Sequence, residues 1–396
     1  MSFGNHSNQE HSKPQPIRGD KGATMLGPRN LPRELQNPDM IIPPETDSGT
    51  VTNAKFSFAD THIRINHGGW SREVTERELP VSDTIASVNM RLKPGAIREL
   101  HWHKEAEWAY MLEGNARITC IDPEGNSFID DVKKGDLWYF PSTFPHSIQG
   151  LDEGCEFLLI FDDGSFSENS TFSITDWFAH TPKEVLAKNF GVSEDAFDRI
   201  PEEELYMFQS SVPGPISEEK PKKLNPPVDH PFSFSLLDQE PKVTHGGKVR
   251  IADSTNFKVS KTIAAALVEV EPGGLRELHW HPNEAEWQYY ISGEARMTLF
   301  GAEGHARTYN YQAGDVGYVP FGFGHYIENI GDTPLIFLEV FRSDRFEDIS
   351  LNQWMSQLPP NLVKAHLNLD DEFIEKALHS DKRPVVKPKP GEDNDR

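Results

Sequence analysis

The sequence predicts a mainly β protein: two β-sandwich or barrel domains in tandem, each followed by short helical segments. Three observations carry this. The stretch VSDTIASVNMRLKPGAIRELHWH from Val81 returns as VSKTIAAALVEVEPGGLRELHWH from Val259, and so long a period marks a duplicated domain rather than a solenoid. Within each copy, short β-branched and aromatic runs alternate with Gly, Pro and Asp punctuation, the pattern of antiparallel strands and tight turns. Thirty Pro, 29 Gly and 24 Phe against 8 Met weigh the same way, toward many turns and few long helices.

Phe56-Ser57-Phe58 and His67-Gly68-Gly69 recur as Phe232-Ser233-Phe234 and His245-Gly246-Gly247, so the repeats are expected to begin there. Residues 1–55 then form an arm laid over the fold, 56–211 a first domain, 212–231 a Pro- and Lys-rich linker, 232–381 a second domain, and 382–396 a disordered tail. Strands are expected at 86–92, 108–112, 116–121 and 157–161, with turns at Lys93-Pro94-Gly95, Asp122-Pro123-Glu124-Gly125 and Lys134-Gly135-Asp136. A helix should follow from a Thr181-Pro182 cap, with Glu184 in the box position, to a stop at Gly191; the second copy answers at 350–358 and 361–369.

Sixty-two acids against 39 Lys and Arg give a formal net charge of -23. Such a surface repels phosphate backbones and anionic membranes, so no nucleic-acid or membrane partner is expected. No apolar run approaches a spanning helix, and the polar N-terminus shows no h-region of a signal peptide. Cys120 and Cys155 sit inside apolar segments without a CxxC neighbour, and read as buried thiols of a reducing, cytoplasmic compartment.

The chemistry lies in two matched clusters. His101, His103 and Glu107 recur as His279, His281 and Glu286, and His146 and His325 follow about 40 residues later, each after a Gly-Asp turn. Residues two apart on a strand share a face, so each His pair can aim two imidazoles at one interior point. Three neutral nitrogens and one carboxylate suit a divalent first-row metal, and four ligands leave positions open for substrate and water. Manganese, iron, nickel and zinc all remain open on this donor set. A lone histidine is ordinarily a satisfied core group; the same four-residue set occurring twice is not.

These residues resemble the two cupin motifs. Gly95, His101, His103, Glu107 and Gly114 fit the first, as do Gly273, His279, His281, Glu286 and Gly293. Gly314, Pro320, Gly322, His325 and Asn329 fit the second, whereas the N-terminal copy departs there, with Thr143 for the glycine and Gly150 for the asparagine. The duplicated RELHWH, the PQPIRGDKGA arm, SENST and SLNQW narrow the resemblance to the bacterial oxalate decarboxylases, over nearly the whole chain. The resemblance implies two cupin domains, two manganese ions per chain, and cleavage of oxalate to formate and carbon dioxide with dioxygen as a redox-cycled cofactor. It also implies a homo-oligomer, a hexamer of two trimers, with spore association in some relatives.

Splitting oxalate needs electron withdrawal, then a proton for the formyl fragment. An arginine beside the metal would hold the free carboxylate as a fork; Arg98 and Arg276, each three residues before the first histidine, are the candidates. The resemblance implies Glu168, in SENST, as proton donor on a mobile lid, and turns Glu339 toward the second metal. From its residues alone Glu168 reads as a solvated loop acid. The second copy lacks that loop, which favours the N-terminal site for chemistry. Trp102 and Trp280 read as packing residues on the opposite strand face, or as electron carriers across a trimer interface. The rival readings are an oxalate oxidase, a storage bicupin and a bicupin dioxygenase for an aromatic substrate.

Overall fold

In the computed structural model, residues 15–18, 27–219, 228–378 and 384–390 are described. The remaining parts of the expected arm (1–14, 19–26), linker (220–227) and tail (382–383, 391–396) lie outside them. The chain divides into two compact units, one of residues 60–239 with 253–263, the other of 1–59, 240–252 and 264–396. Among the described residues, no helix is long and apolar enough to cross a membrane.

The 60–239 unit is organised by two long antiparallel strands, Glu107–Ile121 and His146–Phe161, paired from Glu107 opposite Phe161 to Cys120 opposite His146. Sequence reading splits the first of these in two. In the structure it runs on through register shifts on both sides of Gly114, because that glycine takes a φ of 73° and bends the strand without ending it. Ala86–Leu92 forms as expected, and its alternate residues Val88, Met90 and Leu92 enter a core with Ile118, Trp138, Phe157 and Leu159. Cys120 and Cys155 are buried free thiols, and burial pushes both up from the ordinary thiol range.

The second unit closes a seven-stranded sheet against a six-stranded one, counted among the described residues. Val268, Val270, Tyr290, Met297, Leu299, Tyr309, Tyr311 and Phe337 fill its core. Two such facing sheets are the sandwich architecture the strand pattern predicts.

The opening strand of each repeat does not stay with its own repeat. Lys55–Ser57 pairs with Asp315–Val319, Phe56 opposite Val316; Ser233–Ser235 pairs with Asp136–Phe140, Phe234 opposite Leu137. The boundaries at 56 and 232 thus mark the repeat and not the compact units. The described part of the arm belongs to the 264–396 unit: buried Asp39 accepts from Arg296 Nε (2.6 Å) and Asn310 Nδ2 (2.8 Å), and Asp47 from Thr308.

The expectation of a disordered tail fails over residues 384–390. Val386–Lys387 pairs with Leu275–Trp280, and Val385 and Val386 are buried. Composition missed this because two valines suffice once a strand edge is there to receive them. Helices form at Ile174–Ala179 and Lys183–Phe190, the latter stopping at Gly191 in the left-handed region. Thr181 is not its cap, since its hydroxyl donates to the Trp177 carbonyl instead. In the second repeat Leu351–Ser356 and Pro360–Leu367 are followed by an unforeseen Asp371–Ala377.

Candidate metal centres

All eight expected ligands converge in two buried sets, His101, His103, Glu107 and His146, and His279, His281, Glu286 and His325. Within each set the ligand atoms lie within 4.8 Å of one another. Local folding explains this. His101 lies on the Ile97–Trp102 strand with His103 just beyond it, and Glu107 and His146 each open the next strand that runs through the site. Thr143, the departure from the second motif, holds a φ of 68° where Gly322 holds 79°. Its N–H donates to the His103 carbonyl at 2.9 Å, so the turn before His146 is kept despite the β-branched side chain.

Each imidazole is fixed from behind. Nδ1 of His101, His103 and His146 lies 2.6, 2.7 and 2.8 Å from the carbonyls of Glu99, Glu105 and Phe144. In the second site His279, His281 and His325 face the carbonyls of Glu277, Glu347 and Phe323. A carbonyl can only accept, so Nδ1 donates on the outer side and leaves Nε2 on the inner side as the atom a metal would take. Burial, then the neighbouring Arg98 or Arg276, holds His101 and His279 well below the usual imidazole range, in the neutral form that binds metal. Burial opposes ionisation of Glu107 and Glu286, yet the adjoining imidazoles outweigh it and keep both carboxyls well below the usual range.

The donor set fits a cation by a test of the structure itself. Nε2 of His146, His279, His281 and His325 and Oε2 of Glu286 are buried with no hydrogen-bond partner among the described residues. Buried polar atoms are rarely left this way. One cation per set would satisfy them together.

The carboxylate ligand is oriented differently in the two sites. Trp138 Nε1 donates to Glu107 Oε1 at 2.9 Å, across from Ala109 in the strand register. At the same register in the second site Gly317 faces Gln288, whose amide donates to Glu286 Oε1 at 2.8 Å. A large donor beside a small residue has been exchanged for a small residue beside a mid-sized donor. The hydrogen bond survives the exchange.

Arg98 and Arg276 reach the sites by a bulge. Three residues separate each from the first histidine, which on a regular strand would set them on opposite faces. Between Arg98 and His101 the pairing with the His146 strand slips by one residue, and the same slip occurs between Arg276 and His279.

From there the two sites part. Arg276 is wholly buried and paired with two carboxylates, Nε 3.2 Å from Glu339 and Nη2 2.8 Å from Asp348, while Nη1 has no hydrogen-bond partner among the described residues. Burial pushes Glu339 up to about 7 against the pull of Arg276. Arg98 is held only from one side: Nη1 donates to the Tyr206 carbonyl (3.3 Å), its guanidinium lies 4.3 Å over the Tyr206 ring, and Nη2 is 3.9 Å from Glu168. Glu168 opens a single 3₁₀ turn, Glu168–Ser170, capped by Ser167, and is 3% exposed. Its Oε2 accepts from the Tyr206 hydroxyl.

Sequence reasoning missed Tyr206 and Asp348. Tyr206 ends an acidic PEEEL run that reads as solvated surface, and no spacing rule links it to the histidines. Asp348 sits in the loop after the second copy's Leu335–Phe341 strand, where sequence reading finds no counterpart to SENST.

Comparison with known proteins agrees with this geometry. The cupin family model matches residues 57–197 and again 234–375. The chain is 65% identical to oxalate decarboxylase OxdC of Bacillus subtilis over 96% of its own length and 99% of that protein. It is 42% identical to a probable oxalate decarboxylase of Arthroderma benhamiae, over 94% and 93% respectively. A solved structure of the Bacillus subtilis oxalate decarboxylase, described for its Mn(II) centres, superposes with a TM-score of 0.92 at 65% identity, covering 95% of this chain and 99% of that one. With two tandem cupins, two intact sets of three histidines and a glutamate, and likeness from end to end, the chain belongs to the bicupin oxalate decarboxylases of the cupin family.

Proposed function

We propose that this protein is a manganese-dependent oxalate decarboxylase, yielding formate and carbon dioxide with dioxygen as redox cofactor, and that the N-terminal site carries the chemistry. The supporting observation is the contrast between the two arginines. Arg276 is ion-paired with two carboxylates, Glu339 through Nε and Asp348 through Nη2, while among the described residues the Arg98 fork has no carboxylate in bidentate contact and meets only Glu168, at 3.9 Å. A dianion such as oxalate needs an unsatisfied fork of this kind.

A divalent ion held by His101, His103, Glu107 and His146 would supply Lewis acidity and one-electron withdrawal from bound oxalate. The residues do the rest. Arg98 binds and polarises the distal carboxylate. Glu168, buried on its turn, keeps water away and delivers one proton to the carbon that becomes formate. At the second donor set Arg276 is instead ion-paired to Glu339 and Asp348, Glu339 standing on the strand where the first copy has Leu159, and an ion held there would have a structural or electron-relaying role. The apolar patch that includes Leu278, Phe300 and Trp354 supports a homo-oligomer, trimer or hexamer; the two buried free thiols, Cys120 and Cys155, support a reducing, cytoplasmic location.

The test is Glu168→Gln on enzyme loaded with about two manganese per chain. Formate production should fall about 10²–10⁴-fold, the worth of a positioned general acid, with residual flux moving toward peroxide and manganese content unchanged. Glu339→Ala should leave the product ratio as it is. Parent-rate formate from the Glu168 variant would reject the reading.

A further inference from the structure

Each turnover takes one proton from Glu168, and Glu168 is shut away from solvent. How it is recharged is therefore a question the geometry must answer. Behind its carboxyl runs a chain of hydroxyls. The single O–H of Tyr206 donates to Glu168 Oε2. Ser71 Oγ, itself 2% exposed, lies 2.8 Å from the same Tyr206 oxygen. Because the tyrosine proton is committed to Glu168, the serine must be the donor in that second bond. Both hydrogen bonds point the same way, inward to the carboxyl.

The outer end of the chain meets a polar pocket. Ser71 lines a polar pocket of about 230 Å³ with Arg64, Glu73, Arg77, Glu78 and Asn169, and Arg77 and Asn169 are exposed at its rim. Tyr206 is built into its place rather than left there by chance. Its φ of 55° is a left-handed backbone uncommon for a bulky residue. Two guanidinium groups lie against its ring, Arg64 at 3.5 Å and Arg98 at 4.3 Å, and the Glu99 N–H holds its carbonyl at 3.1 Å.

We propose that Ser71 and Tyr206 are relay residues that reprotonate Glu168 from this pocket after each proton transfer. The inference rests on Glu168 being the proton donor. When Glu168 has given its proton to carbon, its carboxylate takes the Tyr206 hydroxyl proton, Tyr206 takes that of Ser71, and Ser71 takes one from a pocket water that is reprotonated by bulk buffer. The net change is oxalate dianion plus one proton to formate and carbon dioxide, which balances in atoms and charge. Burial, then the charge of Glu168, keeps the Tyr206 phenol well above its usual range, so it passes the proton without existing as a free phenolate.

The relay separates the first turnover from those that follow, which a packing role cannot do. Manganese-loaded parent, Ser71→Ala and Ser71→Thr enzymes are mixed with oxalate, and formate is measured by rapid quench and at steady state. The alanine variant should complete its first turnover at the parent rate and then run about tenfold or more slower, as expected for an impaired proton transfer; threonine, which keeps the hydroxyl, should restore most of the steady rate. Unchanged steady turnover in Ser71→Ala overturns the relay, and so does a first turnover slowed as much as later ones. Glu168→Gln run beside them isolates the premise: formate at the parent rate from that variant would sink the general acid and the relay together, whereas its loss with a fully active Ser71→Ala sinks only the relay.

Discussion

Glu73 shows how closely single residues set the lid. It lies two positions along the strand from Ser71, accepts a hydrogen bond from the Glu168 backbone N–H, and is pushed up to about 7 by burial and then by the charge of Glu168. Since the folded-state value is raised, the folded protein holds this proton more tightly than the unfolded chain. The stabilisation is complete below about 4.5 and is lost as pH rises through about 7. Glu73→Gln should therefore flatten the part of the fall in thermal midpoint between pH 5 and pH 8 that this carboxyl causes, read by calorimetry at each pH; an unaltered slope would refute the assignment. The ligands themselves were legible as residues because histidine is costly to bury and here it is spent in a repeated pattern. Tyr206 and Ser71 were not, since a hydroxyl among acids and glycines carries no signal until folding sets it behind Glu168.

At the scale of elements, alternation carried the strands and the paired histidines, but not the places where alternation breaks. The slip between Arg98 and His101 turns an arginine that strict period two would send outward into the metal site. Nothing in RELHWH declares that slip, because a bulge is fixed by the partner strand as much as by its own sequence. The bend at Gly114 is the same lesson on a longer strand. Its backbone has a φ of 73° and a Cβ there would run into the Gly154 carbonyl. Gly114→Val combines left-handed strain with that collision, and should cost at least about 2 kcal/mol in urea unfolding. The loss should come with reduced metal content at the first site, because Glu107 and His146 sit on the two strands that the bend keeps in register. A variant of parental stability would show that the strand can straighten without penalty.

Across the whole molecule, the repeat visible in the sequence and the body that folds are different objects. The exchange of Lys55–Ser57 and Ser233–Ser235 makes this chain a poor candidate for dissection. Cut between residues 219 and 228, the N-terminal fragment keeps every ligand of its metal set yet leaves the Asp136–Phe140 strand with an open edge, and the C-terminal fragment forfeits both the Lys55–Ser57 strand and the Asp39 anchor for Arg296. Unpaired edges recruit other chains. Each half produced alone should aggregate, and the two produced together should yield soluble protein by mutual complementation, as judged by size-exclusion chromatography; a soluble, manganese-binding N-terminal half on its own would contradict this. Gene duplication of such a domain creates no pair of independent modules: once the strands have crossed, neither copy can be lost, shuffled into another protein or allowed to decay without its twin. That interdependence gives a physical reason for a second metal centre to persist even where the first does the chemistry.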